Sequence, residues 1–410
     1  MLVKNGYRGP IYATFATRDL CTYMLMDSAY IQEKDAEYMK LKLAKKGSHG
    51  GKGSHNKVMK ASKMPVEPLY NVEDAQRCLG QFCGMGYERS FAVTEGVTCT
   101  FYDAGHILGS ALIHLTIEEK ATGKKFTFAF TGDLGRKNLP ILRDPQVLPE
   151  TNYLMMESTY GNRFHESILD AGTHLAETIN RTVKRGGKII IPAFSVERTQ
   201  EVVYHLNLLW QKKLIPDLPI FVDSPLSANV TEVFMNHPEC FDEETQKEFI
   251  NNRKNPFGFG KLQYTHSVEE SKALNEYNAP CIIISASGMC ENGRILHHLR
   301  NNIENPKNTI MIVGFMARDT LGRKIEDKMS VVNIFGEPLH VRAEVEIMDA
   351  FSGHADRSDL LDYVNQVKGL KKIFLVHGEE TQQDSFKGFL NQSGYKDVVT
   401  NEPGRGYEVN

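Results

Sequence analysis

The 410-residue chain has no C-x-x-C pair, no long apolar run and almost no net charge. Each absence excludes something. The seven cysteines, Cys21, Cys78, Cys83, Cys99, Cys240, Cys281 and Cys290, are odd in number and scattered. That argues against a disulfide frame or a zinc finger and predicts reduced thiols in the cytoplasm. Apolar stretches such as Cys281–Ile284 are far too short to cross a bilayer, so no membrane partner is expected. The opening MLVKNGYRGP lacks the apolar core of a signal peptide. A formal net charge of -3 gives no global attraction to nucleic acid, so such a partner must be met by a local basic patch. RRM, KH and zinc-knuckle signatures are missing too.

What is present reads as an ordinary globular chain, long enough for two or three domains with sizeable cores. Its pivot is FTFAFTGDLGR, Phe126 to Arg136. The alternation of aromatic and small residues predicts a strand with one buried face. Gly132 and Gly135 bracket Asp133 in the turn that ends it. Upstream, helices are expected over Asp19–Met26, Tyr30–Leu43 and Val72–Leu79, and strands over Val97–Tyr102 and Ala111–Ile117. Between them, Lys45 to Lys63 is a Gly- and Ser-rich loop whose surrounding stretch carries six lysines and no acid. It reads as a solvated surface loop, the alternative being a phosphate-contacting arm; His49 and His55 in it are not rigid enough to be metal ligands.

After about residue 172 the texture changes. Apolar strands at Lys188–Ile191, Pro219–Val222, Cys281–Ile284 and Thr309–Val313 alternate with helices, the pattern of a parallel sheet covered on its faces. This predicts an inserted domain over 173–342. Residues 343–410 return to the first texture and are too few for a core of their own, so they are expected to complete the domain begun by 1–172.

Five residues stand out: His106, Asp133, Glu157 and His377 directly follow an apolar strand or the short turn after one, and His354 sits in a Ser-Gly turn before a helix. A lone histidine there is more often a satisfied hydrogen-bonding group. Imidazoles and a carboxylate gathered at several strand ends, with Gly105, Gly132, Gly353 and Gly378 beside them, suit zinc.

The motifs DAGHILGSA (103–111), FTGDLGR (130–136), MESTYG (156–161), FSGHAD (351–356) and LVHGE (375–379) resemble the β-CASP branch of the metallo-β-lactamase superfamily. So do PAFSVERTQE (192–201), VDSPLS (222–227), SASGMCENGRILHHL (285–299) and GFMARDTLGR (314–323). These are RNA-processing nucleases, including RNase J and the endonuclease of the cleavage and polyadenylation factor. The resemblance implies an α/β fold: a metallo-β-lactamase αββα sandwich, N-terminally incomplete, with a β-CASP domain inserted. It implies two zinc ions per complete site that activate water for attack on an RNA phosphodiester. His106 would hold one zinc, His377 the other, and Asp133 would bridge them. Glu157 would orient a ligand from behind. His354 would contact the scissile phosphate and protonate the leaving oxygen.

One family signature, H-x-H-x-D-H, does not occur. It supplies two ligands to each zinc, and the opening residues Leu2–Thr14 resemble the segment just downstream of it. The expectation is therefore a truncated gene model or fragment with weak or absent zinc, since about three protein ligands hold a catalytic zinc. A natural non-catalytic RNA-binding relative, working beside an active paralogue or as a homodimer, is the alternative. A hydrolase of small esters is disfavoured by the long insertion. Within that insertion, the resemblance favours Ser287, Arg294, Arg318 and Arg323 as RNA-phosphate contacts on strand-to-helix loops. Without it, the arginines would simply pair with acids such as Glu291 and Asp319.

Overall fold

The computed structural model describes residues 1–48, 66–165, 168–251, 255–348, 351–402 and 404–409. Most of the lysine-rich stretch, including His49 and His55, lies outside the described residues. The chain forms two compact units, Met1–Met85 and Gly86–Asn410.

In the first unit, β1 (Ile11–Thr14) leads directly into α1 (Phe15–Ser48); α2 (Val72–Leu79) and β2 (Phe82–Met85) follow. β1 and β2 pair in parallel, Ile11 opposite Phe82. The sequence predicted two helices where α1 runs unbroken. Its intervening Asp27-Ser28-Ala29 contains neither glycine nor proline, and Ala29 is fully buried. Asn71 caps α2 by accepting from the Asp74 backbone, and Asp74 closes the capping box. The boundary at Met85 falls inside the 1–172 segment that the sequence kept together.

The second unit begins with β3 (Phe91–Thr94), β4 (Val97–Asp103), β5 (Ala111–Glu118), β6 (Lys125–Phe130) and β7 (Tyr153–Glu157). There follow α3 (Ile168–Lys184), β8 (Ile189–Pro192), α4 (Arg198–Gln211), β9 (Ile220–Asp223), α5 (Pro225–Asn236), β10 (Leu262–Tyr264) and α6 (Val268–Glu276). Next come β11 (Ile282–Ser285), α7 (Ile295–Asn302), β12 (Thr309–Ile312), α8 (Leu321–Glu326), the hairpin β13 (Val331–Ile334) and β14 (Glu337–His340), and β15 (Glu344–Ile347). The chain closes with α9 (Arg357–Gln366), β16 (Lys372–Val376), α10 (Glu380–Gln392) and β17 (Val398–Thr400).

Two large sheets result. One has the order β17-β16-β7-β6-β5-β4-β3, so strands from both ends of the unit meet in it. The other, β10-β9-β11-β8-β12-β15, is parallel throughout. Its central strands, Ile189–Pro192 and Ile282–Ser285, are buried at every residue. Apolar side chains on both faces need cover on both, which the crossover helices supply. Strand β15, which the sequence counted with the closing segment, pairs with β12 in this inserted sheet, Val345 opposite Ile310.

β6 has the predicted period, and its fully buried residue is Ala129. Ala129 packs with Leu112, Leu154 and Met156 under Leu360 and Val364 of α9 and Phe386 and Leu390 of α10. A small residue lets helices approach the sheet closely, whereas Phe126, Phe128 and Phe130 line the opposite, half-buried face.

Candidate functional site

The loops after β4 and β6 are pressed together. A Cβ on Gly135 would fall 1.9 Å from the Gly105 carbonyl oxygen, so only glycine permits the approach. The Gly135 amide donates to Ala104 O at 2.8 Å. This backbone seam brings His106 and Asp133 to one spot. β7 delivers Glu157 to it, β16 delivers His377, and the turn before α9 delivers His354. The five residues singled out in the sequence therefore converge.

His106 Nε2 lies 3.8 Å from Asp133 Oδ2, and His377 Nδ1 lies 2.9 Å from Asp133 Oδ1. His354 Nδ1 donates to both oxygens of Glu157 at 3.0 Å, and Glu157 also accepts the Leu134 amide at 2.6 Å. The His106 and His354 rings stand 4.4 Å apart. Two sets of donor atoms, His106–Asp133–His354 and Glu157–His354–His377, each fall within 4.8 Å of one another.

Burial and charge prepare the donors. Burial, reinforced by His354, pushes His106 down to about 4, so its ring is neutral near pH 7. Its buried Nδ1 lies against Gly353, whose backbone hydrogen-bonds the ring, and its Nε2 faces Asp133. Burial works against ionisation of Asp133, but the hydrogen bond from His377 and the surrounding imidazoles hold it down to about 2. The same hydrogen bond raises His377. A neutral imidazole aimed at an ionised carboxylate is the donor chemistry zinc takes, so the residues fit that ion.

Several neighbours escaped the sequence reading. His165 Nε2 donates to the His354 carbonyl at 3.1 Å, and its amide donates to Asp356 at 2.9 Å. The Tyr160 ring packs 4.4 Å from His165 and 6.0 Å from His354. Tyr160 stands inside MESTYG but was given no role there, and His165 lies four residues beyond that motif. From the inserted domain, Arg198 reaches this corner: its Nη2 would stand 3.4 Å from a Cβ on Gly353. Arg198 is ion-paired with buried Glu201, and Glu197 accepts the Leu108 amide at 3.0 Å. Burial, with the nearby Glu201 charge, pushes Glu197 up to about 8.

The four proposed phosphate groups are placed differently. Ser287 Oγ accepts the Glu291 and Asn292 amides at 3.3 and 3.4 Å, closing its own loop. Arg294 is committed inward: Nη1 donates to buried Asp223 at 2.7 Å and Nη2 to the His266 carbonyl at 3.2 Å. Arg323 pairs with Asp327 at 2.9 Å and Glu326 at 3.6 Å within its helix. Arg318 is exposed, with no ion pair among the described residues. Glu291, a suggested arginine partner, instead accepts the Leu321 amide at 2.7 Å.

Comparison with known proteins places these features in context. The Beta-Casp domain family model matches residues 199–325, and the model described as the Zn-dependent metallo-hydrolase RNA specificity domain matches 338–400. Ribonuclease TTHA0252 of Thermus thermophilus is 32% identical over 379 residues, 92% of this chain and 77% of that protein. The RNase J-like protein of Methanocaldococcus jannaschii is 33% identical over 323 residues, 77% of this chain and 72% of that protein. Transcription termination factor FttA of Methanosarcina mazei is 30% identical over 390 residues, 93% of this chain but 56% of that protein. The chain thus spans little more than half the length of that last relative.

Proposed function

Since the chain belongs to the β-CASP branch of the metallo-β-lactamase superfamily, we propose that it is a zinc-dependent RNA nuclease hydrolysing phosphodiester bonds at the His106–Asp133–His354–His377 corner. The observation that carries this reading is the convergence of these donor atoms at one corner, with His106 Nε2 facing Asp133. His106 and Asp133 would hold one ion, Asp133 and His377 a second. When bound, zinc supplies Lewis acidity, lowering the pKa of water and offsetting charge that develops on the phosphate.

The chain's own residues do the rest. Glu157, fully buried, accepts from His354 Nδ1 and fixes the ring, leaving Nε2 to face substrate or metal. As imidazolium, His354 can give a proton to the leaving oxygen. His165 and Tyr160 brace its backbone and ring. Arg318 and the Ser287 loop would hold flanking phosphates, with Arg294 bracing that domain through Asp223.

The donor count sets the expected strength. Among the described residues this assignment leaves three holding residues for two ions, His106, Asp133 and His377, with Asp133 shared. These 410 residues alone are expected to hold zinc weakly and to turn over slowly. That favours, as a second reading, an RNA-binding subunit using the same loops. Incubating labelled single-stranded RNA with zinc-supplied protein separates the two. The nuclease reading predicts cleavage stopped by chelator and lowered about 10²- to 10⁴-fold in His354→Ala. Binding without chelator-sensitive cleavage favours the subunit. Cleavage indifferent to chelator and to His354→Ala contradicts the proposed site.

A further inference from the structure

We propose that Phe194 is a stacking platform for an unpaired nucleobase of single-stranded RNA, with Arg318 on the phosphate beside it. The inference rests on the RNA reading above and adds a contact which that reading lacks.

Phe194 follows β8 in the loop that opens α4, and it is 40% exposed although the strand before it is buried at every residue. Its exposure is imposed by its setting. A Cβ on Gly288 would stand 2.8, 2.9 and 3.0 Å from Cδ2, Cε2 and Cγ of the ring. An approach to the ring's edge would bring one carbon much nearer than the two beside it. Near-equal distances to three adjacent carbons mean that the glycine backs the flat face. One face is thus covered by backbone, and two fifths of the residue remains exposed. Any side chain at position 288 would displace the ring.

The ring is also held in advance of any ligand. The Phe194 carbonyl accepts the Thr199 hydroxyl at 2.8 Å and the Thr199 amide at 3.2 Å. The Ser195 carbonyl accepts Gln200 Nε2 at 3.2 Å, and the Ala193 amide donates to Ser285 O at 3.0 Å. An exposed aromatic ring on a pinned loop loses little conformational freedom when a base stacks on it.

Its neighbours are the loops that bear phosphate-binding groups. Gly288 adjoins Ser287, and Met289 O accepts the Gly322 amide at 3.0 Å, which seats the start of α8 next to the platform. Arg318, exposed and without an ion pair among the described residues, lies just upstream of that helix. On the other side, α4 begins four residues after Phe194 at Arg198, whose guanidinium abuts Gly353 and hence His106 and His354. Aromatic faces interleaved with cations are how single strands are gripped without reading sequence.

The test uses the 410-residue chain and short single-stranded RNAs carrying 2-aminopurine at successive positions, with binding followed by fluorescence. Wild type should quench the probe at one position. Phe194→Ala should abolish that quench and weaken binding between about fivefold and a hundredfold, while Phe194→Trp restores both. An RNA abasic at that position should bind wild type as weakly as intact RNA binds Phe194→Ala, with no further loss when the two are combined. If wild type binds no RNA, the nucleic-acid reading of the function fails and takes this with it. If wild type binds RNA, but Phe194→Ala binds equally well or keeps the quench, the platform alone is wrong.

Discussion

Asp133 and Asp223 make an instructive pair. Both stand at or just beyond the end of a sheet strand, and both have a histidine within hydrogen-bond reach. Asp223 is fully buried and saturated: it accepts from Arg294, His298, Ser271 and Thr265. Burial opposes its ionisation, yet these bonds pull its pKa far below the usual carboxylate range. Asp133 is 41% exposed and meets only His377 closely, with His106 at 3.8 Å. One carboxylate has its full set of protein donors and braces a domain. The other is faced by the His377 and His106 imidazoles and keeps part of its surface open. Chemistry resides where the donor set is incomplete.

The largest expected effect comes from breaking the saturated member. Asp223→Ala strands a half-buried guanidinium and a fully buried imidazole, and should cost about 3–5 kcal/mol of unfolding free energy. Denaturant unfolding checks this, with Asp133→Ala as the contrast: it should change stability by less than about 1 kcal/mol.

A second contrast lies where Glu197 meets the loop after β4. Glu197, pushed up to about 8, keeps a proton in the folded chain that the unfolded chain has released. Its contribution is therefore greatest at low pH and is lost as pH rises from about 4.3 through about 8. Glu197→Gln can still accept the Leu108 amide but cannot ionise. Between about pH 6 and about pH 9 the wild type should lose roughly 2–3 kcal/mol relative to this variant, read by unfolding at each pH. Parallel curves would mean that Glu197 is charged in the folded state.

The smallest effect belongs to the open rim. Arg318→Ala should weaken RNA binding about equally across sequences and reduce the slope of log affinity against log salt by about 1. Arg294→Ala should instead lower stability, because its guanidinium is spent on Asp223.

These contrasts mark what the amino-acid sequence could and could not reveal. The five donors were legible because strand ends project side chains to one rim of a sheet, and small residues flag the turns. The partner of Arg294 was not legible because Asp223 lies 71 residues away and only the parallel sheet brings the two together. The alternation in β6 gave the period but not the face, since which side helices α9 and α10 cover is decided by residues more than two hundred positions downstream. Strand β15 was assigned to the wrong sheet for the same reason: Glu344–Ile347 looks alike whether it continues one sheet or opens the next segment. His165 supports His354 mainly through a backbone carbonyl, a contact that leaves no trace in side-chain pattern.

The most direct test of the central claim is a zinc titration of the metal-stripped chain, followed by calorimetry and by metal analysis after gel filtration. The incomplete donor set at Asp133 predicts zinc uptake that is weak, displaced by chelator and lost in Asp133→Ala while the fold is retained. Uptake that is unchanged in Asp133→Ala would show that this corner is not the metal centre.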